Sequence, residues 1–348
     1  MKIAVGISGG VDSSACALML KDCGHDVIGV TMALGRDNEE AELASARRAA
    51  ENLGIRLHIF DFSREWKENV SVYIRETYMA GLTPNPCVRC NETVKMSLLP
   101  EAAFQLGCDR FATGHYARLA TGGEGRPLLM RAVDRSKDQS YFLYRVSDDV
   151  LNRTVFPLGT MTKSEVREFA RSRGIEASGK SDSQDFCGGD VLAFAAEEER
   201  PGDIVDTEGR KLGVHRGFWR YTVGKRKGLG IGGGTPYYVT ALDAAENKVV
   251  VGFKDSALVR RFETEHAAIR GALEGELTVK VRSAGEPTGP VTVKDEGGGI
   301  LSVECAGGLI GVAPGQSAVF YRGDEVIGGG IIRASIRPSG RAPGPQEN

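Results

Sequence analysis

The chain has 348 residues, with 44 Lys and Arg against 46 Asp and Glu and a formal net charge of −2, which excludes a globally basic nucleic-acid binder but not a local basic patch. Hydrophobic residues make up 41%, enough for sizeable cores, which excludes a disordered chain, and no apolar run reaches the ~18 residues of a membrane span. Seven cysteines, an odd and sparse number for this length, exclude a secreted disulfide scaffold and point to a reducing cytoplasm.

At roughly 100–200 residues per domain, two or three domains are expected. Met1 to Ile7 read directly as a strand, so no signal or transit peptide is expected before the fold. Ile3–Ile7 is a short apolar run suited to a buried parallel strand, and residues 13–22 follow with helical spacing. Val27–Met32 predicts a second strand, Glu39–Leu53 a helix closed by Gly54, Arg56–Phe60 a third strand and Glu65–Tyr78 a third helix. A helix over about Thr93 to Leu106 leads to a fourth strand at Arg110–Thr113. This alternation predicts an α/β domain: a parallel sheet with helices on both faces and a binding site at the carboxyl ends of its strands. After about residue 200 the pattern changes. Val214–Tyr221, Tyr237–Leu242 and Lys248–Phe253 are short strand candidates. From Phe262 onward alternating runs (Leu277–Arg282, Val291–Lys294, Leu301–Cys305, Ser317–Tyr321) are separated by Gly and Pro, as in a small all-β barrel or sandwich. Residues after about Arg337 read as a disordered tail.

Ser8-Gly9-Gly10-Val11-Asp12-Ser13-Ser14 lies between the first strand and the first helix. Its chemistry is that of an anion cradle: glycines admit close approach, backbone N–H groups at the helix start face the charge, and Ser8 and Ser13 add hydroxyls. Asp12 is the odd member, because a carboxylate beside phosphates needs an intervening cation, and Mg²⁺ suits that place. No Gly-Lys-Ser/Thr follows, so this is not a Walker A loop. The bland alternative is a tight Gly-Gly turn with a Ser or Asp cap. The string resembles the pyrophosphate loop of the ATP pyrophosphatase superfamily, which implies cleavage of ATP to AMP and pyrophosphate.

Pro84-Asn85-Pro86-Cys87-Val88-Arg89-Cys90-Asn91 holds two cysteines three apart, which suits half a zinc site, a redox pair or part of an iron–sulfur site. Cys187 ends the string Ser181-Asp182-Ser183-Gln184-Asp185-Phe186-Cys187. Cys16, Cys23, Cys108 and Cys305 sit among apolar residues and read as core cysteines. With these strings stand Thr113-Gly114-His115-Tyr116-Ala117-Arg118, Lys137-Asp138-Gln139-Ser140-Tyr141-Phe142-Leu143, and the run from Gly213 to Leu229. Together they resemble the bacterial tRNA-specific 2-thiouridylases over about residues 2–335.

That resemblance implies a tRNA-uridine 2-sulfurtransferase that uses ATP to thiolate the wobble uridine at carbon 2. It implies an ATP-binding domain at 1–195 with a HUP-type (adenine-nucleotide α-hydrolase-like) fold, a central tRNA-binding domain at 196–258, a six-stranded β-barrel at 259–337 and a tail at 338–348. Cys90 takes the role of nucleophile and Cys187 that of persulfide carrier, with a transient Cys90–Cys187 disulfide. ATP falls to Gly6, Ile7, Ser8, Gly9, Gly10, Val11, Asp12, Ser13, Met32 and Gly114, with Mg²⁺ held by Asp12 through the phosphates. Asn85, Pro86 and Cys87 line the target-base pocket. His115, Lys137, Asp138 and Gln139, then Arg226 and Lys227, then Arg282 and Gln316 on the barrel, are tRNA contacts. A cysteine desulfurase or sulfur carrier protein supplies the sulfur, and a membrane has no part. Many members carry Asp where this chain has Cys87. Cys87, Cys90 and Cys187 therefore also resemble the three-cysteine sets of iron–sulfur-dependent thiolases, and a [4Fe–4S] cluster is the alternative sulfur carrier. An amide-forming ligase of the same superfamily and an RNA-binding protein with a vestigial ATP site are the other readings.

Arg210 to Leu242 contains seven Lys and Arg, no Asp or Glu, and the interleaved aromatics Phe218, Trp219 and Tyr221. Such a composition suits a phosphate backbone and unstacked bases, and the bland reading is a solvated face.

Overall fold

The computed structural model describes residues 1–37, 39–175, 191–194, 198–232 and 234–336. In chain order the elements are β1 (Lys2–Gly6), α1 (Val11–Asp22), β2 (Asp26–Ala33), α2 (Glu39–Leu53), β3 (Leu57–Asp61), α3 (Ser63–Trp66), a π turn at Lys67–Ser71, α4 (Val72–Met79) and α5 (Pro86–Cys90). A second π turn (Asn91–Lys95) precedes α6 (Leu98–Gln105), β4 (Arg110–Ala112), β5 (Ala117–Thr121), β6 (Pro127–Arg131), α7 (Asp148–Asn152), β7 (Thr154–Val155) and α8 (Lys163–Ser172). Then come β8 (Gly202–Val205), β9 (Lys211–His215), β10 (Tyr238–Asp243), β11 (Lys248–Gly252), α9 (Lys254–Ala257) and β12 (Leu258–Ile269). β13 (Leu277–Lys280), β14 (Thr288–Gly297), β15 (Ile300–Ile310), β16 (Ser317–Arg322) and β17 (Glu325–Ile336) complete the order. No helix among the described residues is long and apolar enough to cross a membrane.

The chain divides into two compact units. The first comprises Met1–Val72, Pro86–Gly189 and Asp324–Val326. Its parallel sheet has the order β3-β2-β1-β4-β7, with β1 in register against both β2 (Ile3 with Val27) and β4 (Ile3 with Arg110). β1 is central because Ile3, Ala4 and Val5 bury almost completely on both faces. α1 packs with α2 and α8, and α6 packs on β2 and β4, so helices cover both faces. The order runs outward from β1 in both directions. β1 and β4 therefore flank the switch point, whose carboxyl-end crevice is where such sheets bind ligands. α8 is fixed by a capping box: Thr162 Oγ1 accepts from Glu165 N, and Glu165 Oε2 accepts from Thr162 N. β5 and β6 form an antiparallel hairpin, and Arg118 and Arg135 both pair with Asp324 beside it.

The second unit comprises Tyr73–Asn85, Asp190–Gly323 and Ile327–Asn348. A small sheet of order β10-β11-β8-β9 precedes a six-stranded antiparallel barrel, β12-β15-β14-β13-β16-β17, closed by the pairing of β12 with β17. Closure removes the open edges, and Phe262, Leu277, Val279, Leu301, Val303 and Phe320 fill the interior.

Four expectations need correction. The helix expected at 65–78 is broken by the π turn at Lys67–Ser71, and the one expected at 93–106 begins at Leu98 after the second π turn. The strand expected at 214–221 ends at His215, because Gly217 takes φ +157° and Phe218–Arg220 form a 3-10 turn. Cys23 is exposed rather than in a core: it is the residue that ends α1, one beyond the last helical turn, whereas Cys16, Cys108 and Cys305 are buried.

Candidate active site

The loop from Ser8 to Ser13 follows β1 and enters α1. It is laced by its own hydroxyls: Ser8 N donates to Ser13 Oγ (3.2 Å), Ser13 Oγ donates to the Gly10 carbonyl (3.0 Å), and Ser14 Oγ donates to the same carbonyl (3.1 Å). Behind it Ile7 is buried, and its N–H donates to Val30 O, tying the loop to β2. Gly9 has φ +77°, and a Cβ there would fall 2.6 Å from Ser45 backbone carbon on α2, so only glycine fits. Gly10 is the extended residue that opens α1, so the N–H groups of the first turn are directed at the mouth of the loop. Gly6 ends β1, and Met32 lies at the penultimate position of β2, half-buried at the same sheet edge.

Asp12 does not stand alone. Lys163, at the first position of α8 and 7% exposed, donates to both Asp12 carboxylate oxygens at 2.8 Å, and Tyr116 Oη donates to Asp12 Oδ1 at 3.1 Å. A lysine and a tyrosine hydroxyl therefore converge on one carboxylate in the first turn of α1. Asp12 balances the charge of Lys163, and the loop N–H groups together with that ammonium suit an anion. Gly114, after β4, packs against this turn: a Cβ there would lie 3.1 Å from Asp12 backbone carbon.

The thiols stand on the next layer. Cys87 is half-buried and Cys90 fully buried, both on α5. The π turn after Cys90 is closed by Met96 N donating to Asn91 O at 3.0 Å, an i to i+5 bond. That wide turn brings Lys95 back toward Cys90, and its ammonium interacts with both Cys90 and Cys87. Lys95 Nζ also lies 3.3 Å from His115 Nε2, and His115 Nδ1 lies 2.7 Å from Thr113 Oγ1. An ammonium offers no acceptor, so with Lys95 charged His115 Nε2 accepts and the ring proton sits on Nδ1, donated to Thr113. Burial, then the Lys95 charge, hold the His115 pKa well below its usual range, so the imidazole is neutral. Burial also pushes the Lys95 pKa down, while Cys90 and Cys87 pull it back up. Cys16 lies on α1 beneath the loop, and burial, then the Asp12 charge, push its thiol pKa up.

The other expected site residues fall as follows. Asp138 points inward: Arg131 Nε donates to its carboxylate at 3.3 Å, and Ala132 N and Ser140 N donate to Oδ1, so it holds its loop together. Gln139 Oε1 accepts from Tyr116 N (2.9 Å), and Lys137 N donates to Asp134 O. In the second unit Gln316 Nε2 donates to the carbonyls of Pro84 (2.6 Å) and Thr83 (3.4 Å), and Asn85 N donates to Tyr73 Oη (3.0 Å). Pro86 opens α5. Arg226, Lys227 and Arg282 are exposed. Cys187 and the tail at 338–348 lie outside the described residues. The sequence reading missed Lys163 and Lys95. The Thr162–Glu165 capping-box spacing marks Lys163 as a helix start, but no linear pattern links it to Asp12, 151 residues away.

No group of three or more His, Cys, Asp or Glu suited to a metal occurs among the described residues. Asp12 is engaged by Lys163 through both oxygens, so a Mg²⁺ fits here as an ion carried by ATP phosphates rather than as one caged by side chains. At α5 Cys87 and Cys90 supply two of the three thiolates a [4Fe–4S] cluster needs, and the third expected one, Cys187, lies outside the described residues.

The family described as tRNA methyl transferase HUP domain matches residues 1–188. The tRNA methyl transferase PRC-barrel domain matches 190–253, and the Aminomethyltransferase beta-barrel domain matches 258–332. The tRNA-specific 2-thiouridylase MnmA of Chloroflexus aurantiacus is 44% identical over 351 residues, covering 95% of this chain and 98% of that protein. The tRNA-specific 2-thiouridylase MnmA of Endomicrobium trichonymphae is 41% identical over 361 residues, covering 95% and 99%. Among solved structures, a 4-thiouridine synthetase–RNA complex with bound ATP is 18% identical with a TM-score of 0.34, covering 50% of this chain and 41% of that one. The chain belongs, at this identity and over nearly its whole length, to the tRNA-specific 2-thiouridylase family.

Proposed function

We propose that this protein thiolates carbon 2 of the wobble uridine of tRNA. In the first step the uridine O2 attacks the α-phosphorus of MgATP, the O2–P bond forms, the bond to the β-phosphate breaks, and pyrophosphate leaves. The loop N–H groups, Ser8, Ser13 and Lys163 receive the departing charge. Oxide is a poor leaving group, and this step converts it to AMP. In the second step the Cys90 thiolate attacks Sγ of a Cys187 persulfide, forming a Cys90–Cys187 disulfide and releasing the terminal sulfur as hydrosulfide. Hydrosulfide adds to carbon 2, and the carbon–oxygen bond to AMP breaks. An external thiol reductant restores both cysteines, and a cysteine desulfurase or sulfur carrier protein reloads Cys187. Residues 1–195 carry this chemistry, 196–258 and the barrel at 259–337 hold the tRNA, and the reaction takes place in the cytoplasm.

One observation carries this reading. Lys95 touches His115 at 3.3 Å and interacts with Cys90. The thiol helix is thereby joined to the loop after β4, whose Gly114 packs on the pyrophosphate turn. An adenylating cradle and a buried thiol in one unit suit thiolation, whereas amide formation needs no thiol. The test is mass spectrometry of tRNA nucleosides after incubation with ATP, Mg²⁺, a thiol reductant and a persulfide source. 2-Thiouridine is expected from the wild type and not from Cys90→Ser or Cys187→Ser, while tRNA-dependent pyrophosphate release persists in both variants. Full activity in Cys187→Ser would favour the ligase reading. Iron and acid-labile sulfide in anaerobically purified active protein, with activity lost on chelation, would favour the cluster.

A further inference from the structure

The structure divides the basic stretch of 210–242. Arg210 pairs with Asp206 (2.6 Å) and Glu208 (3.2 Å), Lys211 with Asp203 (2.7 Å), and Arg216 with Glu199 (3.5 Å). Of the seven basic residues, four remain: Arg220, Lys225, Arg226 and Lys227 are exposed and form no ion pair among the described residues. Backbone bonds fix where they sit. Gly224 N donates to Val239 O, and Val239 N donates to Lys225 O, so this loop is laced to β10. Tyr238 pairs with Gly252 across the β10–β11 ladder, which sets the residues just outside it, Tyr237 and Phe253, against each other. Their rings stack with centroids 4.8 Å apart and planes 21° from parallel. Phe253 is 50% exposed. A cavity of about 200 Å³ opens beside the pair, lined by Arg226, Gly228, Gly230, Thr235 and Tyr237. Arg210, close enough to Tyr237 to interact with it electrostatically, neutralises the nearest acids.

A half-exposed aromatic ring stacked on a second one, next to a cavity lined by Arg226 with the exposed Lys227 adjoining it in the chain, matches what single-stranded nucleic acid requires: a π face for the base and positive charge for the phosphate. The lining also includes Leu229, Ile231 and Pro236, so the positive charge here comes from Arg226 and from the exposed Lys227 beside it in the chain. We propose that Tyr237 and Phe253 form a stacking platform on which an unpaired nucleotide of the tRNA lays its base, with its phosphate held by Arg226 and Lys227. This rests on tRNA being the substrate.

The test is equilibrium binding of a full-length unmodified tRNA transcript to the full chain, together with steady-state thiolation. Phe253→Ala is expected to weaken tRNA binding roughly 5- to 100-fold, the range for losing one base stack. Phe253→Leu is expected to be as weak, since it keeps apolar bulk without a π face, and Phe253→Tyr to stay within about twofold of wild type. The turnover number at saturating tRNA and the KM for ATP are expected to be unchanged in all three. Arg226→Ala is expected to reduce the log–log salt slope of binding by about one. Wild-type affinity in Phe253→Ala, or in Phe253→Leu, overturns the platform while leaving tRNA as substrate. Unchanged tRNA binding combined with impaired loading by the sulfur donor would make the patch a protein interface and also overturn it. A wild-type chain that neither binds nor thiolates tRNA overturns the underlying substrate reading itself.

Discussion

His115 sits in an environment opposed to its charged form. It is 6% exposed, faces the Lys95 ammonium on one nitrogen and Thr113 on the other, and is neutral in the native protein. In the unfolded chain it takes up a proton below about pH 6.5. The unfolded state then binds more protons than the native state, so stability falls as pH drops from about 6.5 toward the lower native value, and His115 contributes nothing to the slope above that window. His215, lowered mainly by burial, adds a slope of the same sign. The expected outcome is that His115→Gln loses less thermal stability than wild type between pH 7.5 and pH 5.5, flattening the profile without abolishing it; identical profiles would show His115 to be solvated or protonated. Lys163 is the second residue-scale test. Lys163→Met leaves Asp12 facing incoming phosphates without its counter-charge, and tRNA-dependent pyrophosphate release is expected to fall about 100-fold or more with tRNA affinity unchanged. The loop residues Ser8 to Ser13 and the thiol Cys90 were readable because each sits in a contiguous string. Lys163 and Lys95 were not, because their partners are reached only through the fold, and the exposure of Cys23 was misjudged because apolar neighbours in sequence do not bury a residue that ends a helix.

The elements that hold these residues are set by backbone constraints at a few positions. Gly9 combines φ +77° with a space that a Cβ would share with the Ser45 backbone at 2.6 Å. Gly9→Ala therefore meets strain and collision together, and α2 cannot withdraw without disturbing Ala46 and Ala50, which are buried on its inner side. The expected result is a loss of about 2–4 kcal/mol of stability and a KM for ATP raised at least tenfold, read by thermal unfolding and by pyrophosphate release; unaltered ATP binding would mean the loop does not contact phosphate. The strands and helices around the switch point were legible from apolar runs and helical spacing, because the central strands are buried on both faces. The two π turns were not, since a five-residue turn within a helix leaves a 3.6-residue pattern nearly intact while displacing everything after it. The second of them is the turn that brings Lys95 back toward Cys90.

On the scale of the whole molecule the near-zero net charge conceals a local excess. The sequence shows seven cations in 210–242 without an acid, but acids from outside that stretch, Glu199, Asp203, Asp206 and Glu208, neutralise three of them. Arg210 meets Asp206 and Glu208 within the turn between β8 and β9, whereas the pairing of Lys211 with Asp203 depends on those strands lying side by side. The remaining four make a quantitative expectation. Each phosphate neutralised contributes about −0.7 to −0.9 to the slope of log affinity against log salt, so four contribute about −3 to −4. Comparing wild type with a variant in which Arg220, Lys225, Arg226 and Lys227 are all alanine isolates this stretch from every other contact. The slopes are expected to differ by about 3 to 4, which between 50 and 200 mM salt is roughly a 100-fold steeper loss of affinity in the wild type. A difference near zero would show that tRNA does not pass over this surface. A difference well below 3, with a steep slope surviving in the variant, would show that phosphates are met mainly by cations other than these four.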